Sequence, residues 1–203
     1  MKVISIDTSG KFCSISISLS NRVQDSINSS IPLSHSSELA VNIKKIIKKH
    51  EILIQDLDFI AINIGPGSFT GLRIGISLAK GLCLSRNIPL VPINSFEIID
   101  HKVNCIKDSF YYGIYSHKDY MYSKKYEKDK DNKPRLISLK EDLKSPIYIN
   151  GLGDIASEYN NNIINIDFNA LDLINIGINR FKNEGIYDLN SISPIYIDYN
   201  NGL

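Results

Sequence analysis

The residues best suited to chemistry lie in the glycine-rich segment from Gly65 to Thr70, which reads GPGSFT. It follows the apolar run 59–64, so it predicts a turn between a buried strand and a helix. Ser68 and Thr70 offer side-chain oxygens to the free amide groups at the start of that helix, and Gly65 and Gly67 allow backbone angles that a Cβ atom would forbid. Such a turn could bind an anion, although its spacing matches neither the dinucleotide-binding motif nor the P-loop.

The helix that follows this turn is apolar on nearly every side, because the segment 72–86 contains only three charged residues. Small residues recur every fourth position and form one narrow stripe, which consists of Gly71, Gly75, Ala79 and Cys83. A contact made of short side chains lets a second helix approach closely, which would suit a partner protein. The alternative is that the chain itself covers both sides of the helix, and composition alone favours that alternative.

The overall composition is that of a small globular protein. The chain has 203 residues, 43% of them hydrophobic, and 23 basic against 22 acidic residues give a formal net charge of +1. This charge supplies no general field for attracting RNA. Cys13, Cys83 and Cys105 are far apart, the opening residues resemble a strand rather than a signal peptide, and no apolar run is long enough to cross a bilayer. We therefore expect a cytoplasmic protein without a membrane segment.

The periodicity of apolar residues predicts a mixed α/β protein whose first half is the more regular. The first half predicts a three-stranded meander, a helix that Ser34 caps, a strand, the apolar helix and a last strand, at 3–7, 13–19, 23–27, 36–49, 59–64, 72–86 and 90–93. The second half predicts a tyrosine-rich hairpin, a charged loop, a short strand and a final amphipathic helix. These elements lie at 110–115 with 120–126, at 124–135, at 146–150 and from about Leu171 to Gly185.

One string of residues resembles a known family. The eleven residues 65–75, GPGSFTGLRIG, together with Ile6-Asp7-Thr8-Ser9 and Cys13-Ser14, are similar to the TsaB (YeaZ) family, whose older label is glycoprotease-like. Such a string is far more specific than a glycine loop. The resemblance is strong up to about Asn94. It is weaker afterwards, where only the short segments 151–153 and 194–197 are similar to the family.

The resemblance implies an α/β protein of the actin-like/Hsp70-like ATPase (ASKHA) fold. This fold has two lobes, each with a mixed β-sheet flanked by helices, and the second lobe is reduced. The implied division places the first lobe, with the dimerisation helices, at 1–94. The second, smaller lobe and the C-terminal tail would occupy 95–203.

The family's members are bacterial proteins that partner the enzyme TsaD in making threonylcarbamoyladenosine on transfer RNA, with the ATPase TsaE as a further partner. The resemblance therefore implies a non-catalytic scaffold subunit without a cofactor, which contacts transfer RNA only through the complex and forms a homodimer when alone. In the family, two helices meet their counterparts in the partner as a four-helix interface. On this sequence the interface would comprise Leu39, Ile43, Ile46, Ile47, Gly71, Gly75, Leu78, Ala79 and Leu82.

Asp7 lies where the actin-like superfamily places an acid beside nucleotide phosphates and their metal ion. With the glycine-rich turn it outlines a vestigial nucleotide or anion site, which comprises Asp7, Ser9, Gly65, Gly67, Ser68 and Thr70. One carboxylate without a second acid or a phosphate-binding Lys or Arg is too little for phosphoryl transfer. We therefore expect Asp7 to hold the backbone amides of residues 8–10 in a turn.

The histidine pattern argues against a metal site. Catalytic relatives of the family bind a metal through two histidines spaced H-x-x-x-H, so that both share one helix face. Here His35 is followed four residues later by Leu39, and His50, His101 and His117 have no partner at ligand spacing. No metal is expected.

Two enzyme functions remain as alternatives. One is a small ATP-dependent kinase or acyltransferase that uses Asp7 and the glycine-rich turn, and the other is a metallopeptidase, which the broken histidine pair disfavours. The second lobe also departs from the family, because Ser116-His117-Lys118-Asp119 replaces a D-A-R-like stretch and Asp198 replaces an arginine. These departures put any charge-dependent role of the second lobe in doubt.

Overall fold

A computed structural model describes residues 1–20, 22–29, 35–103, 109–127, 130, 132–141, 143–159 and 162–197. Within these residues the chain forms two five-stranded sheets and four α-helices. The expected helix cap Ser34 lies outside the described residues, as do Cys105 and Asp198.

The first sheet contains strands β1 to β5, at Val3–Asp7, Cys13–Leu19, Arg22–Ser29, Phe59–Asn63 and Leu90–Ile93. Its strand order is β3-β2-β1-β4-β5. The first three strands pair antiparallel as a meander, whereas β4 and β5 run parallel to β1. Parallel strands need long crossover connections, and helices supply them here.

Two of these helices, α1 (His35–Lys49) and α2 (Phe69–Arg86), cover one face of the first sheet. The sheet presents a layer of isoleucines to them because every second residue of β1 and β2 points to that face. The fully buried members of this core include Ile6, Ile15, Ile17, Ile60, Ile62, Leu39, Ile46 and Leu72.

The opposite face of the first sheet is covered by α4 (Ala170–Glu184), which follows α3 (Ser95–Val103) and the second sheet in the chain. Small residues let α4 lie close to the sheet. The Ser14 hydroxyl accepts a hydrogen bond from the Ala170 amide at 2.9 Å. A Cβ atom on Gly177 would lie 3.0 Å from the ring of Phe59, so glycine is what permits this approach.

The second sheet contains strands β6 to β10, at Ser109–His117, Tyr120–Glu127, Arg135–Ser138, Ile147–Asn150 and Ile163–Asn165. Read from β8, its order is β8-β7-β6-β9-β10, with an antiparallel meander followed by two strands parallel to β6. This is the arrangement of the first sheet repeated. The helices equivalent to α1 and α2 are reduced to a turn after β8 and a 3-10 turn at Gly153–Glu158.

The expected actin-like fold is confirmed, and so are the predicted strands and helices of the first half. Helix α4 links the two lobes, because it follows the second sheet in the sequence but packs on the first sheet. The division at Asn94 stays a prediction. Within the described ranges, no helix is both long enough and apolar enough to cross a bilayer.

Candidate functional site

The Asp7 carboxyl group is buried at the end of β1 and is only 5% exposed. Its Oδ1 atom accepts hydrogen bonds from the Ser9 amide at 2.9 Å, the Ser9 hydroxyl at 2.7 Å and the Asn63 side-chain amide at 3.0 Å. Burial is the largest influence on its pKa and raises it, because the charged form loses hydration. Asp7 thus holds the backbone of Ser9, and the turn role expected for it is confirmed at that residue.

The glycine-rich turn packs directly onto this Asp7 turn. The Ser68 amide donates to the Ser9 carbonyl oxygen at 2.6 Å, and a Cβ atom on Gly67 would lie only 2.5 Å from that oxygen. The Gly65 amide donates to the Asn63 side chain at 2.9 Å. The two segments are therefore brought together as expected, but these amides are bonded within the chain and do not form an open cradle for an anion.

Ser68 caps α2, as the sequence predicted, by accepting a hydrogen bond from the Gly71 amide at 3.2 Å. Thr70 differs from the prediction, because it lies inside the first turn of the helix with an exposed side chain. The role of this turn in nucleotide binding stays a prediction.

A cavity of about 180 Å³ adjoins Asp7 between the two sheets. Among the described residues that line it, Asp7 and Asp167 are acidic and Lys11 alone is cationic. Two acidic groups against one lysine disfavour a phosphate ligand. Among the described residues, no group of three His, Cys, Asp or Glu side chains could hold a metal ion.

The stripe of small residues on α2 faces the chain's own first sheet. A Cβ atom on Gly71 would lie 2.0 Å from the Thr8 carbonyl oxygen, and one on Gly75 would lie 2.3 Å from the Thr8 hydroxyl. Ala79 and Cys83 are completely buried in the same core, where burial raises the pKa of the Cys83 thiol to about 12. The prediction that this stripe faces a partner is therefore wrong, because β1 and its turn already occupy the close approach that the glycines permit.

Most of the predicted interface residues of α1 are also buried within the chain. Leu39, Ile43 and Ile46 belong to the chain's own core, so the structure contradicts their assignment to a partner surface. Ile47 is only partly buried. Its interface role stays a prediction, together with those of Leu78 and Leu82, which are also partly buried.

A different side of α2 is exposed. Ser77, Gly81 and Leu84 lie on it, with Ile74 and Leu78 at its edge. Leu84 is 71% exposed, and Gly81 has no atom within 4 Å of the position a Cβ atom would take. We call this surface the outer face of α2. The sequence contains a pattern that indicates this face, since Ser77, Gly81 and Ser85 are also small residues four positions apart. The pattern alone does not show which of the two small-residue stripes of α2 is exposed.

The altered segment of the second lobe has its own local contacts. Asp119 pairs with Lys140 at 2.7 Å and accepts a hydrogen bond from Tyr159 at 2.8 Å, and these contacts lower the pKa of its carboxyl group. The Ser116 hydroxyl lies 2.9 Å from the His117 ring nitrogen. These contacts account for Asp119 as a structural residue of the hairpin.

Comparison with known proteins finds similar sequences and a similar solved structure. A family model described as TsaD, the tRNA N6-adenosine threonylcarbamoyltransferase, matches residues 30–109. Proteins named tRNA threonylcarbamoyladenosine biosynthesis protein TsaB are similar to this chain. That of Buchnera aphidicola subsp. Schizaphis graminum is 34% identical over 100 residues, and that of Escherichia coli K12 is 30% identical over 95 residues.

These two matches cover 49% and 47% of this chain, and 47% and 41% of the relatives. The chain thus matches about half the length of these curated relatives. The solved structure of YeaZ from Pseudomonas aeruginosa is similar over 97% of this chain and 99% of that chain, with a TM-score of 0.76 and 18% identity, which shows a shared fold. The predicted resemblance to the TsaB (YeaZ) family is thus confirmed by sequence relatives over about half of the chain and by a shared fold over nearly all of it.

Proposed function

We propose that this chain is a non-catalytic subunit that binds TsaD and is required, with TsaE, for threonylcarbamoyl transfer to adenosine of transfer RNA. The observation that carries the proposal is the outer face of α2, an exposed helical surface of small residues with the 71% exposed Leu84, which adjoins the residues that resemble the TsaB family. The names of the sequence relatives support a role in the same pathway.

The geometry around Asp7 supports a role without catalysis. Phosphoryl transfer needs groups that position and neutralise phosphate oxygens. Oδ1 of Asp7 is instead engaged by Ser9 and Asn63, and the Gly65 and Ser68 amides are bonded within the chain. This favours a scaffold over the kinase alternative, while the formal net charge of +1 favours contact with transfer RNA through the complex.

A reconstituted reaction tests the function. TsaD and TsaE from the same organism, with unmodified transfer RNA, should form threonylcarbamoyladenosine only when this chain is added. The chain alone should show no ATP or peptide hydrolysis at enzyme-like rates of about one per second. A turnover of that size that Asp7→Ala abolishes would instead establish the kinase alternative, and full modification without the chain would refute the scaffold.

The outer face of α2 is the surface on which we place TsaD. Ser77, Gly81 and Ser85 lie one helical turn apart on it, so a partner helix could approach closely at Gly81. On α1, Ile47 is partly exposed at the edge of the core face, and we place the contact of the second helix there. Two helices from each protein would then form the four-helix interface that the family resemblance implies.

Gly81→Leu separates this interface from the chain's own core. The new side chain enters open space, and replacing a helical glycine raises helix propensity by about 1 kcal/mol, so the monomer should melt at the same or a higher temperature. The same side chain would hold a partner helix away from α2. Capture of TsaD by immobilised chain should be lost, while Lys49→Gln, at the end of α1, serves as the surface control. Normal capture by Gly81→Leu would place the contact elsewhere.

A further inference from the structure

Arg73 occupies the first turns of α2, at the end of the outer face, and two aromatic rings hold its side chain. The guanidinium carbon lies 3.8 Å from the centroid of the Phe69 ring, close enough for a cation–π contact. Its Nε atom donates to the Tyr196 hydroxyl at 2.8 Å, and the Phe69 and Tyr196 rings lie 5.0 Å apart. The side chain is therefore fixed in one geometry.

The position of Tyr196 is itself fixed by the backbone. The preceding Ile195 amide donates to the Ile64 carbonyl oxygen at 2.7 Å, which ties the C-terminal segment to the end of β4. Gly67, Tyr122 and Ile197 complete a cavity of about 300 Å³ around the cluster. The cavity thus joins the glycine-rich turn, the C-terminal segment and strand β7 of the second lobe.

The guanidinium group keeps most of its hydrogen-bonding capacity. Among the described residues, the Nε bond to Tyr196 is the only side-chain hydrogen bond of Arg73, and no described carboxylate lies within ion-pair distance. Arg180 shows the contrast, since it binds Glu97 at 3.0 Å and Glu184 at 3.3 Å. Because Nε is occupied and one guanidinium face lies on a ring, the two terminal nitrogens of Arg73 remain for an oxyanion.

The surroundings of Arg73 have the composition of a protein-binding surface. Phe69 is 54% exposed and Tyr196 is 44% exposed, although large aromatic side chains are usually better buried. Arginine and tyrosine are enriched among the residues that dominate the binding energy of protein interfaces. Arg73 also shares its helix side with Ser77 and Gly81, so the cluster continues the outer face of α2.

We propose that the Arg73 cluster, formed by Phe69, Arg73, Tyr122 and Tyr196, receives a carboxylate side chain of the protein that docks on α2. This inference rests on the proposed function, since it assigns the polar anchor of that interface. A carboxylate fits the two terminal nitrogens as a bidentate partner. Arg73 is the single charged side chain among the described residues that line the cavity, whereas RNA binding uses several cations along a backbone.

The affinity of the whole chain for TsaD from the same organism tests the anchor. Arg73→Gln should raise the dissociation constant at least tenfold, because it leaves a carboxylate unpaired in the interface. Arg73→Lys should also weaken binding, since an ammonium group cannot reproduce the planar fork or the ring contact. Arg86→Gln, at the other end of α2, removes the same charge and should change the constant less than about twofold. Calorimetric titration at low and high salt measures all four proteins, and thermal denaturation verifies their folding.

The outcomes separate the anchor from the interface itself. If Arg73→Gln binds TsaD as the unchanged chain does while Gly81→Leu fails to bind, the interface stands and the anchor is refuted. If Arg73→Gln keeps its affinity for TsaD but the complex loses affinity for transfer RNA, the group that Arg73 receives is a phosphate and the inference is wrong. If the unchanged chain does not bind TsaD, the inference and the proposed function both fail.

Discussion

The buried carboxyl group of Asp7 shows how one residue can resemble a catalytic acid and act as a structural one. Its sequence position at a strand end, before Thr-Ser-Gly, predicts a turn residue, and the contacts with Ser9 agree. The sequence could not identify Asn63 as a further partner, because the two residues lie 56 positions apart and meet only when β4 pairs with β1. Local chemistry was therefore predictable, and contacts that depend on strand pairing were not.

Asp7→Asn should change how stability depends on pH. Because the folded-state pKa of Asp7 is raised, the folded protein holds this proton more tightly than the unfolded chain. The contribution of Asp7 protonation to the free energy of unfolding is therefore complete at pH values below the pKa of the unfolded chain. This contribution is lost as pH rises through the pKa of the folded protein. The loss is about 1.4 kcal/mol for each pH unit that separates the folded pKa from the unfolded pKa. An asparagine side chain at this position keeps an oxygen that can accept the same hydrogen bonds but has no group that titrates.

We expect Asp7→Asn to be at least as stable as the unchanged chain at pH 7 to 8, with this advantage shrinking as pH falls toward 4. Urea denaturation of both proteins across this range measures the difference. The variant should also support modification of transfer RNA normally. Lower stability of the variant at pH 7 to 8, with a deficit that shrinks as pH falls, would mean that the negative charge itself holds the Ser9 turn.

At the scale of elements, strand β2 illustrates a pattern whose meaning only packing reveals. The alternation of serine and isoleucine predicts a strand with two different faces. The isoleucines enter the core under α1 and α2, as the pattern indicates. The serine face is covered by α4, a helix about 150 residues later in the chain, so the reason for small polar residues there could not be predicted.

Two serines of this face should respond oppositely to loss of the hydroxyl group. Ser14 accepts from the Ala170 amide and donates to Asn28 at 2.5 Å, whereas the buried Ser16 hydroxyl has no hydrogen-bond partner in the described part of the chain. Ser14→Ala should lower the free energy of unfolding by about 1 to 3 kcal/mol. Ser16→Ala should leave it unchanged or raise it by about 1 kcal/mol. Chemical denaturation measures both, and equal losses would show that the two hydroxyl groups are equally bonded.

Helix α2 gives the corresponding test for a helix. Ala79 is fully buried against the first sheet, so Ala79→Leu should overpack the core and cost about 1 to 3 kcal/mol. In a chain of 203 residues, each kcal/mol lowers the melting temperature by about 2 to 4 °C. Gly81→Leu, two residues along, serves as the matched control with no such loss. Circular dichroism measures both melting temperatures at concentrations where the proteins are monomeric. An unchanged melting temperature for Ala79→Leu would mean that the small-residue stripe containing Ala79 lies on the surface and not in the core.

The whole molecule consists of one sheet arrangement used twice with unequal helices. The resemblance predicted this fold from the first half of the chain, and the tyrosine-rich hairpin was predicted from its own pattern. The position of α4 on the first sheet was not predicted, because an apolar helix face indicates a sheet without saying which one. Since the second sheet has turns where the first has α1 and α2, the outer face of α2 has no counterpart among the described residues of the second sheet.

If a homodimer and a TsaD complex both use the outer face of α2, the two assemblies compete. Because Leu84 is 71% exposed on the outer face of α2 and Gly81 leaves room for a close helix contact, the chain alone should form a two-fold dimer through that face. TsaD would then displace one copy and take its place. One copy of the chain cannot contact a second copy and TsaD at the same time if both contacts use the same surface.

The most direct measurement is the mass of the particles by light scattering, first for the chain alone at micromolar concentration and then after addition of TsaD. We expect a particle of twice the chain mass of 22.8 kDa, which TsaD converts to a complex with one copy of each protein. Gly81→Leu should remain a monomer in both samples. A larger particle in which TsaD adds to an intact homodimer, or no association with TsaD at all, would contradict the account.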